Sequence, residues 1–333
     1  MRFADYTTLR VGGPARRLVR AETDAELIDA VLAADDAGEP LLVLGGGSNL
    51  VVADAGFDGV VVQVATRGVS RSGELVTVAA GEVWDDVVAT LVADGYSGVE
   101  ALSGIPGLVG ATPIQNVGAY GQEVAQTVVS VLVLDRATRD VEQVAAEDCA
   151  FTYRHSAFKG DDRRVVLAVT FRMAEQAVGE PVRYAALAAH LGVEVGDTVP
   201  AAEVRAAVLD LRRAKGMLLD PADHDTWSAG SFFTNPILSA DDAAGLPAAA
   251  PRWPESASRV KFSAAWLIEQ AGFNAGYGDG PAQLSTKHTL ALTNRGGATT
   301  EELLALAREI RDGVRERFGV TLVNEPALIG VTL

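Results

Sequence analysis

Two glycine-rich stretches and a few polar side chains hold the chemistry this chain can offer. Gly45-Gly46-Gly47-Ser48-Asn49-Leu50 follows a short apolar run and supplies consecutive backbone N–H groups beside two small polar side chains. Such a run lets amides converge on an anion, because glycine reaches conformations other residues avoid. It has no Walker lysine and no G-x-G-x-x-G spacing opening a helix, so a tight turn and a phosphate cradle fit it equally. The second stretch, 103–122, contains Ile105-Pro106-Gly107, Gly110-Ala111, Pro113-Ile114-Gln115-Asn116 and Gly118-Ala119-Tyr120, with no charge before Glu123. A structural loop of that length is ordinarily more polar. This composition suits a wall around a flat, mostly apolar ligand, with Gln115 and Asn116 aimed at its polar edges. Together the two loops favour a dinucleotide-sized cofactor.

The candidate reactive side chains say less when taken singly. Ser231 follows Gly230 and precedes Phe232 and Phe233, a setting that equally suits a turn or a helix cap. Arg154, in Tyr153-Arg154-His155, reads alone as a surface residue, and Glu325, before Pro326, as a solvated strand end. Arg212 and Lys215 lie three apart on one expected helix and so share a face, by default a solvated one. The histidines at 155, 190, 224 and 288 lack ligand spacing, and Cys149 is the single cysteine, so neither a metal site nor a disulfide framework is expected.

The elements that must position these residues begin as β-α-β. Thr23 with Glu26 predicts a capping box, followed by a helix with Leu27, Ile28, Val31 and Ala34 on one face. Gly38-Glu39-Pro40 stops it, and strands are expected at 41–44 and 59–64. A strand at 76–80, a helical stripe of Trp84, Val87, Val88 and Leu91, a hairpin of 128–134 with 141–144, and a strand at 164–173 predict a mixed sheet. Helices are expected at 201–215, 260–271 and 300–318, the last capped by Thr299 with Glu302. The expected division is 1–62, then 63–205 rejoined by 319–333, then 206–318. A length of 333 residues fits two or three domains.

Composition bounds the partners. With 28 Lys+Arg against 44 Asp+Glu the formal net charge is −16, which repels phosphate backbones and anionic membranes. No apolar run reaches the roughly 18 residues a span requires, and Arg2, Asp5 and Arg10 interrupt any opening signal peptide. The expectation is an acidic, soluble, cytoplasmic protein without nucleic-acid or membrane partners.

Five ordered motifs carry a family resemblance over nearly the whole chain. They are the two glycine stretches, Tyr153-Arg154-His155-Ser156-Ala157-Phe158-Lys159, Gly230-Ser231-Phe232-Phe233-Thr234-Asn235-Pro236, and Asn324-Glu325-Pro326. Their order and spacing resemble the UDP-N-acetylenolpyruvoylglucosamine reductase (MurB) family. The resemblance implies an α+β protein: a two-domain FAD-binding fold of the vanillyl-alcohol-oxidase/MurB type, plus a third α+β substrate-binding domain. It implies a monomer that uses non-covalent FAD and NADPH to reduce the enolpyruvyl ether of UDP-N-acetylglucosamine in peptidoglycan precursor synthesis. By the same resemblance Ser231, Arg154 and Glu325 are catalytic. Gly45, Gly46, Gly47, Ser48, Asn49, Leu50, Ile105, Pro106, Gly107, Gly110, Ala111, Pro113, Gln115, Asn116, Gly118, Ala119 and Tyr120 line the cofactor. Tyr120, Tyr153, Arg154, Tyr184, Arg212, Lys215, Asn235 and His288 meet the substrate or a nucleotide phosphate, Tyr184 marking a subclass with an extra substrate-covering loop. The chain departs from the family pattern at Thr234, at Ala327-Leu328-Ile329 and in the longer 218–227 segment. A second reading is another FAD-dependent oxidase or dehydrogenase of the same superfamily, although neither glycine loop holds the His or Cys that covalent flavin attachment uses.

Overall fold

Alternating valines build the largest sheet. In the strand Val128–Asp135 the residues Val131, Val133 and Leu134 are buried, and this strand pairs antiparallel with Val141–Ala145 and with Arg164–Arg172. The sheet continues through Leu75–Ala79 to the exposed edge strand Val69–Ser72. Trp84, Val88 and Leu91 of the helix Trp84–Ala93 are buried in the same core. A smaller sheet orders Ala15–Ala21, Phe57–Val64 and Leu41–Leu44, with Leu41 to Leu44 running parallel to Val60 to Gln63. The helix Asp24–Asp36 connects the first of these strands, Ala15–Ala21, to Leu41–Leu44.

The computed structural model describes residues 1–333. They form two units, each made of separated chain segments. One comprises Met1–Pro14, Gly47–Phe57 and Lys215–Leu333; the other comprises Ala15–Gly46 and Asp58–Ala214. We call them the first and second unit. The sheets described above belong to the second unit. In the first, the helix Thr300–Phe318 buries Leu303, Leu304, Ala307, Ile310 and Val314 against Leu267, Ile268 and Phe262. Its strands Leu50–Val52 and Ala327–Ile329 pair in parallel, and Ile237–Ser239, Arg259–Phe262 and Arg252–Ser256 form a three-stranded sheet. No helix is long and apolar enough to cross a membrane.

Several local expectations are met and others corrected. The 128–144 hairpin forms, and both halves of the Thr299–Glu302 capping box are present. The expected helix at 260–271 is instead a strand, Arg259–Phe262, then a shorter helix, Ala264–Gln270. Ser263 divides them by accepting the Trp266 N–H at 3.2 Å, a capping contact that starts the helix there. At the first helix Thr23 accepts the Glu26 N–H, but the Glu26 carboxylate takes the Glu22 N–H at 2.8 Å rather than that of Thr23. The strand Ala15–Ala21 had no apolar signature, because three arginines lie on an edge strand. The C-terminal segment, expected to rejoin 63–205, pairs with Leu50–Val52 instead.

Candidate active site

In the second unit, the strand Leu41–Leu44 ends in Gly45 and Gly46. A Cβ on Gly46 would stand 2.8 Å from the Gly107 Cα, so the two glycine stretches approach backbone to backbone. At Gly45 the nearest atom to such a Cβ is Leu108 Cδ1 at 3.8 Å, ordinary contact. Gly104, where the second stretch begins, is gripped from both ends. Its N–H donates to Asp85 Oδ1 at 2.6 Å, and its carbonyl accepts from Arg212 Nε at 3.1 Å. Arg205 meets both oxygens of Asp85, at 2.5 and 3.0 Å. Burial would raise the Asp85 carboxyl, but Arg205 and the Gly104 amide outweigh it and hold the group below its ordinary value. Arg212 is buried, and that desolvation pulls its guanidinium below the usual range.

The two amides expected at the ligand's edges take different parts. Asn116 is buried with φ +43° and has its side chain fully engaged. Its Nδ2 donates to Glu123 Oε2 at 2.9 Å and to the Thr152 carbonyl at 3.0 Å, while Oδ1 accepts from the Ala125 N–H at 3.1 Å. It therefore ties the loop to the turn that carries Arg154, and its side chain is not aimed outward as expected. Gln115 keeps a buried Oε1 with no partner in the protein, an acceptor waiting for a donor.

Arg154 adopts φ +53° in that turn, where Thr152 and His155 pair, and its Nη2 donates to the Gly118 carbonyl at 2.7 Å. Its guanidinium lies 5.4 Å from the Tyr153 ring centroid. Tyr120 meets Tyr184 edge to face at 5.5 Å. Burial raises the Tyr120 hydroxyl, and Tyr184 adds to that while Arg212 opposes it. Glu100, buried, fastens this region: it accepts the Gly98 and Glu180 N–H groups, both at 2.6 Å, and Gln122 Nε2 at 3.2 Å. The structure thus joins Arg154 to the glycine loop and Tyr120 to Tyr184.

In the first unit, Gly47 has φ +60°, and a Cβ there would fall 1.9 Å from the Tyr6 carbonyl oxygen, so only glycine fits. Asn49, Ser231 and Glu325 are drawn together by backbone pairing. The Ala327 N–H donates to the Asn49 carbonyl at 3.0 Å, and Asn49 Nδ2 to the Glu325 carbonyl at 3.4 Å. The Glu325 N–H donates to the Phe232 carbonyl at 2.8 Å, and the Thr234 N–H to that of Val323 at 3.0 Å. Phe232 and Phe233 are buried in the core and anchor the stretch, which leaves Ser231 at its rim. Ser231 Oγ lies 3.4 Å from His288 Nε2.

Two expectations change here. Asn235 Oδ1 accepts the Ala264 N–H at 2.9 Å, so the residue serves the start of a helix. The helix Ala201–Ala214 ends before Lys215, which belongs to the first unit, so Arg212 and Lys215 do not share a helix face. Asp85, Arg205 and Glu100 were missed by sequence reasoning, since their partners lie far along the chain: Arg205 is 120 residues from Asp85.

Comparison with known proteins agrees along the whole chain. Residues 15–142 match the family described as FAD binding domain, and residues 220–329 match UDP-N-acetylenolpyruvoylglucosamine reductase, C-terminal domain. The UDP-N-acetylenolpyruvoylglucosamine reductase of Thermobifida fusca is 59% identical, with 99% of this chain and 97% of that protein covered. That of Streptomyces avermitilis is 57% identical, covering 99% of this chain and 94% of the relative. The crystal structure of the Thermus caldophilus reductase (MurB) superposes with a TM-score of 0.70 at 26% identity, covering 99% of this chain and 97% of the other.

Proposed function

Because this chain belongs to the UDP-N-acetylenolpyruvoylglucosamine reductase (MurB) family of FAD-dependent oxidoreductases, we propose that it reduces the enolpyruvyl ether of UDP-N-acetylglucosamine to the lactyl ether of UDP-N-acetylmuramate. The residues present fit FAD. The close approach at Gly46 and Gly107 makes one backbone wall from two loops, and the partnerless Oε1 of Gln115 suits the N–H edge of a flavin ring. Bound FAD supplies hydride equivalents drawn from NADPH for C3 of the enolpyruvyl group.

The protein must then manage negative charge at C2 and in the adjoining carboxylate, and deliver one proton to C2. Arg154 suits the carboxylate, as a permanent cation with a forked donor set. Its guanidinium is already oriented by the Gly118 carbonyl. Ser231 gives the proton. A hydroxyl is a weak acid, so it does this only against a strongly basic carbanion. Glu325 assists, sharing a proton or polarising a water beside the developing enolate. Tyr120, Tyr153, Tyr184, Arg212, Lys215 and His288 hold the nucleotide sugar and its phosphates; for Asn235 that role falls to its amide nitrogen, its oxygen being committed to Ala264.

The observation that supports this reading best is the pairing of the Ser231 and Glu325 stretches, with the Glu325 N–H on the Phe232 carbonyl at 2.8 Å. It holds the residues that bear the hydroxyl and the carboxyl on adjoining backbone. We further propose a cytoplasmic monomer without nucleic-acid or membrane partners, and a functional division at 1–62, 63–205 and 206–318. The test is the visible spectrum of the purified protein. Flavin absorbance should be lost on adding NADPH and regained on adding the enolpyruvyl nucleotide. Reoxidation by oxygen and an alcohol couple, but never by that nucleotide, would assign the chain to another flavin oxidase instead.

A further inference from the structure

We infer that Asp225 is a positioning residue for Ser231, acting through the turn that carries His288. The inference rests on the proposed role of Ser231. It also gives a purpose to the 218–227 segment, where the chain departs from its family's pattern. Asp225 is 4% exposed. A carboxylate in that position is tolerated only when its oxygens are met by donors. Three direct donors meet it: the Thr286 N–H at 2.9 Å, Thr286 Oγ1 at 2.5 Å and Arg295 Nη1 at 2.6 Å. Lys287 Nζ stands 3.8 Å away and reaches the neighbouring Asp223 at 2.5 Å, so one ammonium bridges two carboxylates. Asp223 in turn accepts the Asp225 N–H at 3.0 Å. Burial would raise the Asp225 carboxyl, but the Thr286 donors and Arg295 outweigh it, and the group remains ionised at neutral pH.

What this carboxylate grips is the base of a turn that touches Ser231 from two directions. Ser285 accepts the Lys287 N–H at 3.1 Å, the Ser285 N–H meets the Ala291 carbonyl at 2.8 Å, and the Ala291 N–H closes on the His288 carbonyl at 3.0 Å. From this turn His288 presents Nε2 to the Ser231 hydroxyl at 3.4 Å, while the Leu290 carbonyl takes the Phe232 N–H at 2.7 Å. The first contact orients a hydroxyl; the second fixes the backbone beside it. At 3.4 Å the imidazole contact sits at the long end of hydrogen bonding, so a shift of a few tenths of an ångström in the turn makes or breaks it. A proton donor must be aimed to within such distances, and a group that holds the aim acts on the rate without touching substrate.

The test uses the holoenzyme with Asp225→Asn and, separately, Thr286→Val, which removes one donor and little volume. Flavin absorbance is followed in two half-reactions, reduction by NADPH and reoxidation by the enolpyruvyl nucleotide. Reduction should stay within about twofold of wild type, while reoxidation slows about tenfold or more, the scale on which orienting partners act. Combined with Ser231→Ala, Asp225→Asn should add nothing to the slow residual rate, because no hydroxyl remains to be aimed. Equal losses in both half-reactions, a multiplied loss in the double variant, or wild-type reoxidation in both single variants overturns the inference alone. Wild-type enzyme that is never reoxidised by the nucleotide overturns the reaction and the inference with it.

Discussion

Replacing Gly46 by alanine tests whether the two glycine stretches form one wall. The new methyl would sit 2.8 Å from the Gly107 Cα, whereas ordinary contact begins near 3.4 Å. The loops must part by roughly 0.6 Å or more, and Gly107 cannot yield cheaply. It holds φ +117°, and its carbonyl is pinned by the Trp84 N–H at 3.1 Å. Forcing one methyl into such a gap costs about 1–3 kcal/mol. If the flavin-free protein bears that cost, its melting temperature falls by roughly 2–4 °C per kcal/mol for a unit of this size. If the loops part instead, FAD binds about 5- to 150-fold more weakly, the same energy expressed as affinity. Gly45→Ala is the comparison. Its methyl meets nothing closer than 3.8 Å, and its backbone is not left-handed, so the flavin-free protein should hold or gain up to about 1 kcal/mol. Yet if its open side faces the cofactor, FAD affinity falls. Thermal unfolding of stripped protein and fluorescence titration with FAD read the two quantities separately. Gly46→Ala with an unchanged melting temperature and FAD affinity within twofold would refute the close approach.

Three more outcomes are expected. Ser231→Ala should leave flavin reduction by NADPH nearly untouched and slow reoxidation by the nucleotide by orders of magnitude, measured by stopped-flow absorbance. Asp85, held below its ordinary value, contributes stability that is present above the unfolded carboxyl pKa near 4 and is lost as pH falls through that value towards the folded one. Asp85→Asn should therefore lower the melting temperature at pH 7, with a gap to wild type that narrows between pH 5 and pH 3. Glu100→Ala strips the acceptor from three donors, each costing about 1–3 kcal/mol if left buried and unmet. Limited proteolysis should then cut near 176–184, where wild type resists.

What the sequence disclosed depended on how far apart the cooperating residues lie. The Thr299–Glu302 cap and the 128–144 hairpin were legible because their partners sit within a few residues. The 260–271 segment misled because Val260 and Phe262 alternate over too short a run to oppose a helical reading, and pairing with Ile237–Ser239 and Arg252–Ser256 decided the matter. Glycines in the first stretch announced tight backbone, but not that Gly46 opposes Gly107 while Gly47 opposes Tyr6. Asn116 and Gln115 are neighbours of similar chemistry, and only the surrounding fold gives one of them three partners. Nothing beside Asp85 or Asp225 in the sequence marks their ion pairs. Their counter-ions, Arg205 and Arg295, arrive 120 and 70 residues later.

The segmented make-up of the two units bears on synthesis from the ribosome. The second unit has all its pieces once Ala214 has emerged. The first has only Met1–Pro14 and Gly47–Phe57 by then, and must wait for Leu333. Until then Leu50–Val52 lacks Ala327–Ile329, the strand that completes its parallel pair. Such distant pairings form late, and open strand edges invite aggregation. A nascent chain stalled beyond residue 214 should thus carry a protease-resistant second unit and a cleavable Gly47–Phe57 strap, and termination a few residues short of Ala327 should be more damaging than its small loss of mass suggests.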